Sequence, residues 1–191
     1  MRKSAVLLFS TLMFTAIPAV AMKISGVDIP DSLKPVNSDV TLLLNGAGIR
    51  EKFFMDIYIG ALYLPERSDN AATILSSMEP ASVLMHFLYK MVSKEKITSG
   101  WNEGLESNLS ATEMQALRPA LEKFNQLFLT VHAGDAIRID YVPGNGTVVR
   151  INNEWRGKVA DDTFFPALLK VWLGDQPVSK SLKNAMLGGA Q

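Results

Sequence analysis

The segment from residue 137 to residue 152 limits most strongly how this chain can fold. Apolar and polar residues alternate along two runs, 137–142 and 147–152, and the sequence Pro143-Gly144-Asn145-Gly146 separates them. Alternation with a period of two is typical of a β-strand with one buried face, and glycine-rich segments of this kind form tight turns. The segment therefore predicts an antiparallel hairpin. A register with Ile139 on the face of Val149 also predicts an Asp140–Arg150 pair on the solvent face.

Residues 1–21 have the composition of a secretory signal peptide. Arg2 and Lys3 precede an apolar run over 5–17, and Ala19 and Ala21 form an A-x-A cleavage pattern. The alternative is an uncleaved anchor, but the run is shorter than the ~20 residues that span a bilayer. We expect cleavage after Ala21, a single mature domain over 22–191 with no membrane-spanning segment, and a periplasmic or secreted location.

Composition excludes several classes of chemistry. The chain has no cysteine, so it has no disulfide, thiolate nucleophile or cysteine-based zinc site. Nineteen basic residues balance nineteen acidic ones, and without residues 1–21 the formal charge is −2. Such a surface lacks the basic excess of nucleic-acid-binding proteins. The two histidines, His86 and His132, have no partner at metal-ligand spacing. We therefore expect no nucleic-acid partner, no metal and no cofactor.

The remaining strand signals lie mainly in the first half of the chain. The patterns predict a short first strand over 23–29 and two longer strands over 40–44 and 53–64. The glycines of Gly46-Ala47-Gly48 predict the turn between the longer pair, with Arg50 beside it. A further strand-like run covers 81–90. Hairpins in mixed order with helices predict an α+β fold rather than a doubly wound parallel sheet.

Helix starts are indicated by capping residues, and buried faces by apolar residues at helical spacing. The expected N-caps are Asp69 or Asn70, Ser93, Ser110 with Glu113, and Asp161 or Asp162, and a last short helix is expected over 179–186. The helix after Ser93 carries a stripe of Ile97, Trp101 and Leu105. Two glycines, Gly100 and Gly104, interrupt this helix, which predicts that another backbone or a ligand comes close there.

Arg50 is the one candidate functional residue, because the sequence lacks the common catalytic and nucleotide-binding motifs. The chain has no G-x-S-x-G nucleophile elbow, no dinucleotide fingerprint and no P-loop. From spacing alone, Arg50 is a surface residue that pairs with Glu51 or Asp56, and the aromatic residues are plain core.

The motif around Arg50 resembles the chalcone isomerase-like superfamily. The segment Leu44-Asn45-Gly46-Ala47-Gly48-Ile49-Arg50 is followed by Lys52-Phe53-Phe54 and by Ile59-Gly60-Ala61-Leu62-Tyr63-Leu64. The superfamily shows G-x-G-x-R, then K-F and an apolar strand that ends in V/L-Y-L. The resemblance implies an open-faced β-sandwich, in which a layer of helices covers a large antiparallel sheet and a ligand cleft lies between them.

The catalytic members of that superfamily close a flavanone ring with an arginine, a strand threonine, a tyrosine at a helix entry, a helical asparagine and a serine or threonine in the final helix. Arg50 matches the arginine, whereas the other positions fall at Tyr58, Ser93, Gly100 and Phe165. Since a phenylalanine has no donor, the resemblance implies that flavonoid cyclisation is lost. An isomerase or intramolecular lyase on another substrate, with Arg50 and Tyr58 as its groups, remains an alternative.

Noncatalytic members bind fatty acids, with the same arginine on the carboxylate. The resemblance therefore implies a lipophile-binding protein whose ligand is a fatty acid or a similar small carboxylate. Arg50 would hold the head, and the candidate walls are Tyr58, Trp101, Phe165 and Leu169. A second alternative is an interaction or structural protein whose cleft is filled by its own side chains.

Overall fold

A computed structural model describes residues 22–189 of the chain. The predicted signal peptide, residues 1–21, lies outside the described residues. Strands and helices follow in the order β1 (Met22–Ile24), β2 (Val27–Ile29), β3 (Ser32–Leu33), β4 (Leu42–Lys52), β5 (Met55–Leu64), α1 (Ala71–Ser76), β6 (Ala81–Phe87), β7 (Met91–Val92), α2 (Lys94–Glu106), α3 (Ala111–Asn125), β8 (Val131–His132), β9 (Ala136–Val142), β10 (Gly146–Ile151), β11 (Glu154–Val159), α4 (Phe164–Leu173) and α5 (Lys180–Met186).

The centre of the fold is a seven-stranded antiparallel sheet in the order β11-β10-β9-β6-β5-β4-β3. Side chains of the five helices pack in one apolar core against one face of this sheet. The expected α+β fold, a large antiparallel sheet under a layer of helices, is confirmed. A smaller core lies on the other face, where Ile29 and neighbouring N-terminal residues cover Leu42, Ile59 and Tyr63.

The turn predicted at the glycines is wrong. Strand β4 runs straight through Gly46-Ala47-Gly48, and the chain reverses at Phe53 and Phe54. The physical reason is close packing: a Cβ at Gly46 would overlap the carbonyl oxygen of Ala185 in α5. Gly46 therefore lets helix α5 approach the strand and does not mark a turn.

The predicted hairpin of 137–152 is present, but the expected Asp140–Arg150 pair is not. Arg150 lies opposite Arg138, and Asp140 lies opposite Val148. Asp140 is fully buried, where its carboxylate pairs with Arg138 Nη2 at 2.8 Å and accepts a hydrogen bond from Ser82 Oγ at 2.6 Å. Since the N-terminal segment covers this face of the sheet, the position is not a solvent face.

The first strand and one helix start also differ from expectation. Residues 23–29 form a small hairpin, β1 and β2, around Ser25 and Gly26, whose φ angles are 47° and 80°. The predicted caps Asn70, Ser93 and Ser110 are confirmed, and the last helix, expected over 179–186, has Ser179 as its N-cap. At α4 the N-cap is Thr163, whose backbone N–H donates to the Asp161 carboxylate at 2.8 Å, so the acid precedes the cap. No helix within residues 22–189 is long and apolar enough to cross a membrane.

Candidate ligand site

Arg50 lies near the end of β4, directly opposite Tyr58 of β5. A register shift separates Arg50 from Glu51, so the strand bends just after the arginine. The side chain is half-buried, and its Cζ lies 5.7 Å from the centroid of the Tyr58 ring. A guanidinium at that distance is attracted to the face of an aromatic ring. The tyrosine therefore fixes the arginine at the edge of the helix-covered core.

Tyr58 is anchored in turn by Trp172 of α4. The indole Nε1 of Trp172 donates a hydrogen bond to the Tyr58 hydroxyl oxygen at 3.0 Å, and both residues are buried. Burial raises the pKa of Tyr58, while the nearby Arg50 charge and the Trp172 hydrogen bond oppose that shift. The phenol consequently stays protonated at neutral pH.

A small inner cavity of about 50 Å³ lies between Arg50, Tyr58 and helix α2. Trp101 of α2 closes its deep side, since its ring contacts the rings of Phe124, Phe128 and Trp172 at centroid distances of 5.4–5.7 Å. The space between sheet and helices is thus largely filled by aromatic side chains. A volume of this size holds a few water molecules and is well below the ~300–1,000 Å³ of ordinary ligand sites.

An outer groove of about 340 Å³ begins where the inner cavity ends. The two spaces share Arg50 and Gly100 among their walls. Nothing stands within 4 Å of the place where a Cβ of Gly100 would be, so this glycine leaves the opening clear. Gly104 has a different role, because a Cβ there would press on Val171 of α4. Of the two interior glycines, one faces the groove and the other faces a helix.

The walls of the outer groove combine apolar side chains with cations. The side chains of Lys52 and Lys96 join Arg50, and Glu103 is the one acid. The Glu103 carboxylate accepts a hydrogen bond from Ser99 Oγ at 2.7 Å. The apolar part of the wall consists of Phe53, Met55, Ile57, Tyr89, Met91 and Val92. The groove is therefore mainly apolar, with Arg50 and Lys96 at the end that it shares with the inner cavity and Lys52 beside the Phe53 ring.

Two buried donors at this site have no hydrogen-bond partner among residues 22–189. They are Arg50 Nε and Trp101 Nε1, and both residues line the inner cavity. Arg50 also forms no ion pair with Glu51, Asp56 or any other acid of the described chain. Most buried donors in folded proteins are paired, so two orphan donors at one cavity require an explanation.

Phe165 and Leu169 do not line either space around Arg50. They border a separate cavity of about 80 Å³ together with Leu64, Ile74 and Ala81. Residues four apart lie on the same side of a helix, whereas Val171, two residues beyond Leu169, projects from the other side toward the inner cavity. The Phe165 ring stacks on Tyr141 at 5.2 Å. The structure thus brings together Arg50, Tyr58 and Trp101 and leaves the other two candidates elsewhere.

Lys96 and Trp172 belong to the site but were not among the candidate ligand-binding residues predicted from the sequence. Lys96 precedes Gly100 by one helical turn, so both lie on one face of α2. This spacing could have been predicted from the sequence. The hydrogen bond from Trp172 to Tyr58 joins residues 114 positions apart, and no local signal predicts it. Within residues 22–189, no three or more histidine, aspartate or glutamate side chains cluster as metal ligands do.

Comparison with known proteins identifies the family. Residues 21–188 match the model of the family described as chalcone isomerase-like. The chain belongs to the chalcone isomerase-like family. No curated protein sequence matches it. Among solved structures, it resembles the fatty-acid binding protein AtFAP1 of Arabidopsis thaliana, with a TM-score of 0.63 and 17% identity over 85% of this chain and 92% of that chain. At that identity, the likeness shows a shared fold.

Proposed function

We propose that the chain is a noncatalytic binding protein for a small lipophilic carboxylate such as a fatty acid. Arg50 holds the carboxylate, and the outer groove takes the apolar tail. The proposed setting is the periplasm or the extracellular space, after removal of residues 1–21. The observation that carries the proposal is the unpartnered, buried Nε of Arg50 at the charged end of an apolar groove.

The chemistry of the site favours an anion with acceptor oxygens. A carboxylate accepts from a guanidinium in a charge-assisted and often bidentate way. The Trp101 Nε1 donor belongs to the same cavity and offers an additional contact to an acceptor there. One carboxylate would supply partners for buried donors that the described protein leaves unpaired.

The dimensions of the site favour a ligand whose tail lies in the groove. The groove of about 340 Å³ is at the lower end of the usual range for small-molecule sites, whereas the inner cavity of about 50 Å³ is too small for more than a head group. The structural neighbour from Arabidopsis, which is named a fatty-acid binding protein, supports the same class of ligand.

Catalysis of a ring closure receives less support from the same residues. Of the cavity-lining side chains, Tyr58 alone carries a hydroxyl. Gly100 stands where the catalytic members carry a helical asparagine, and a glycine has no side chain to donate a hydrogen bond. Arg50 therefore lacks the set of positioned donors that would distinguish a transition state from a bound ligand.

The first test measures the role of Arg50 in binding. Native mass spectrometry of protein purified from its own host should detect a bound lipid. In calorimetric titrations with decanoate, Arg50→Gln should weaken affinity by about 10–100-fold, because a hydrogen bond to a charged group contributes about 1.5–3 kcal/mol. Arg118→Gln removes the same charge from an exposed position on α3 and should leave affinity unchanged.

A ligand series makes this test specific to the carboxylate. The methyl ester of decanoate should bind the wild-type protein more weakly than decanoate does, and Arg50→Gln should abolish that difference. Equal affinity of wild type and Arg50→Gln for decanoate would contradict the proposal. Turnover of chalcones by the wild-type protein would favour the isomerase alternative in its place.

A further inference from the structure

The turn between β4 and β5 exposes two phenylalanine side chains side by side. Phe53 is 78% exposed, and Phe54 is fully exposed at 104%. Large apolar residues occur singly on protein surfaces without special meaning, but two adjacent aromatic rings at a turn tip are unusual. The same end of the molecule also exposes Met55 and Met91. These four residues form an apolar tip.

The backbone of this turn is unfavourable for the residues that form it. Phe53 and Phe54 have φ angles of 50° and 62°, in the left-handed region that bulky side chains rarely adopt. Two-residue turns with both φ angles positive normally carry Asn-Gly or similar pairs. The β10–β11 turn of the same sheet follows this rule, with Asn152 and Asn153 at 52° and 65°. Strain retained at exposed residues suggests a function.

Phe53, Phe54 and Met55 of the apolar tip project beyond the rest of the seven-stranded sheet. Strand β5 pairs with β6 only from Tyr58 onward, and the last backbone hydrogen bonds on that side run from Leu88 and Tyr89 to the Ile57 carbonyl oxygen. Residues 51–56 therefore extend as a two-stranded arm. Lys52 accompanies the tip, with its Nζ 5.8 Å from the centroid of the Phe53 ring.

We propose that the apolar tip inserts into a lipid bilayer and thereby places the mouth of the outer groove at the membrane surface. This inference rests on the proposed function, because a lipophilic carboxylate partitions into a bilayer. Phe53 and Met55 belong both to the tip and to the wall of the groove, so the two surfaces are continuous. Lys52, whose Nζ lies beside the Phe53 ring, would face lipid phosphates.

The size and shape of the tip favour a membrane over a protein partner. An aromatic side chain buries about 150–250 Å², so two rings supply a few hundred Å², whereas a stable protein interface needs about 800 Å² from each partner. A narrow arm with aromatic rings at its end suits insertion among lipid chains. Insertion requires depth rather than a broad complementary face.

The main test compares wild type with Phe54→Gly in vesicle co-sedimentation, with vesicles of phosphatidylethanolamine and phosphatidylglycerol. Wild type should bind, and Phe54→Gly should bind at least about tenfold more weakly, as expected from loss of one buried aromatic side chain. Glycine suits the second position of this turn, so the melting temperature should stay equal or rise. Trp155→Ser, which removes an exposed aromatic residue from the edge strand β11, should bind as wild type does.

The outcomes separate this inference from the proposed function. Phe54 does not line the groove, so Phe54→Gly should retain wild-type affinity for free decanoate. Arg50→Gln should show the opposite result, with normal vesicle binding and weakened affinity for decanoate. Failure of the wild-type protein to bind vesicles would overturn membrane insertion, whatever its affinity for decanoate. Wild-type self-association that Phe54→Gly abolishes, in the absence of vesicle binding, would likewise overturn it in favour of a second copy of the chain.

Discussion

At the scale of single residues, two buried tyrosine hydroxyls differ in their hydrogen bonds. The Tyr58 hydroxyl oxygen accepts a hydrogen bond from Trp172 Nε1, whereas the buried Tyr141 hydroxyl has no hydrogen-bond partner among residues 22–189. Removal of an acceptor leaves a buried donor unpaired, which is more costly than removal of a group that was unpaired from the start. The two tyrosines are therefore a matched pair for mutation.

We expect Tyr58→Phe to lower the free energy of unfolding by about 1–3 kcal/mol, because the indole N–H of Trp172 would lose its partner in a buried place. Tyr141→Phe should change it by less than about 0.5 kcal/mol or increase it slightly. Urea denaturation of both variants measures the difference. Equal losses in the two variants would show that the Trp172 hydrogen bond does not stabilise the fold.

At the scale of secondary-structure elements, glycines define how closely helices approach the sheet and the groove. Helix α5 lies on β4 at Gly46, where Asn45 Nδ2 also donates to the Met186 carbonyl oxygen at 2.7 Å. Gly100 of α2 faces open space. The same substitution should consequently have opposite effects at these two positions.

We expect Gly46→Ala to destabilise the protein by about 1–3 kcal/mol or more, because the new methyl group would meet the backbone of α5. Gly100→Ala should stabilise it by about 0.5–1 kcal/mol, since alanine favours an interior helical position that has room for its methyl group. Thermal unfolding of the two variants measures both changes. A loss of stability in Gly100→Ala would contradict the open position of this glycine.

The elements also explain which parts of the fold were predictable from sequence. The caps at Asn70, Ser93 and Ser110 were predictable because a cap is a contact between residues three apart. The course of β4 was not predictable from the sequence. Gly46 is needed because the backbone of α5, about 140 residues later in the chain, packs against it. The cavity that Phe165 lines was also not predictable, because it depends on how α4 is rotated about its own axis over the sheet.

At the scale of the whole molecule, the sheet is buried on both faces, and this placed Asp140 in the interior against expectation. The family resemblance supplied Arg50, but only the folded chain brings Tyr58 and Trp101 beside it. The formal charge of −2 without residues 1–21 provides no long-range attraction for an anion. A bound carboxylate would accordingly depend on the local cations Arg50, Lys52 and Lys96.

Buried tyrosines on both faces of the sheet make the stability of the whole fold sensitive to alkaline pH. Burial raises the pKa values of Tyr58 and Tyr141 on the helix face and of Tyr63 on the other face. Below pH 10, the ordinary tyrosine value, these phenols are protonated in both states and add no pH dependence. Above it, the unfolded chain releases protons first, so the free energy of unfolding falls as pH rises.

Tyr63→Phe isolates the contribution of one of these tyrosines. The Tyr63 hydroxyl donates to the Pro30 carbonyl oxygen at 3.0 Å, so at neutral pH the variant should be less stable than wild type by about 1 kcal/mol. As pH rises above about 10, wild type also loses the contribution of the protonated phenol, and the difference should shrink. Urea denaturation of both proteins across that range measures the gap, and a gap that stays constant would mean that Tyr63 ionises as readily in the folded protein as in the unfolded chain.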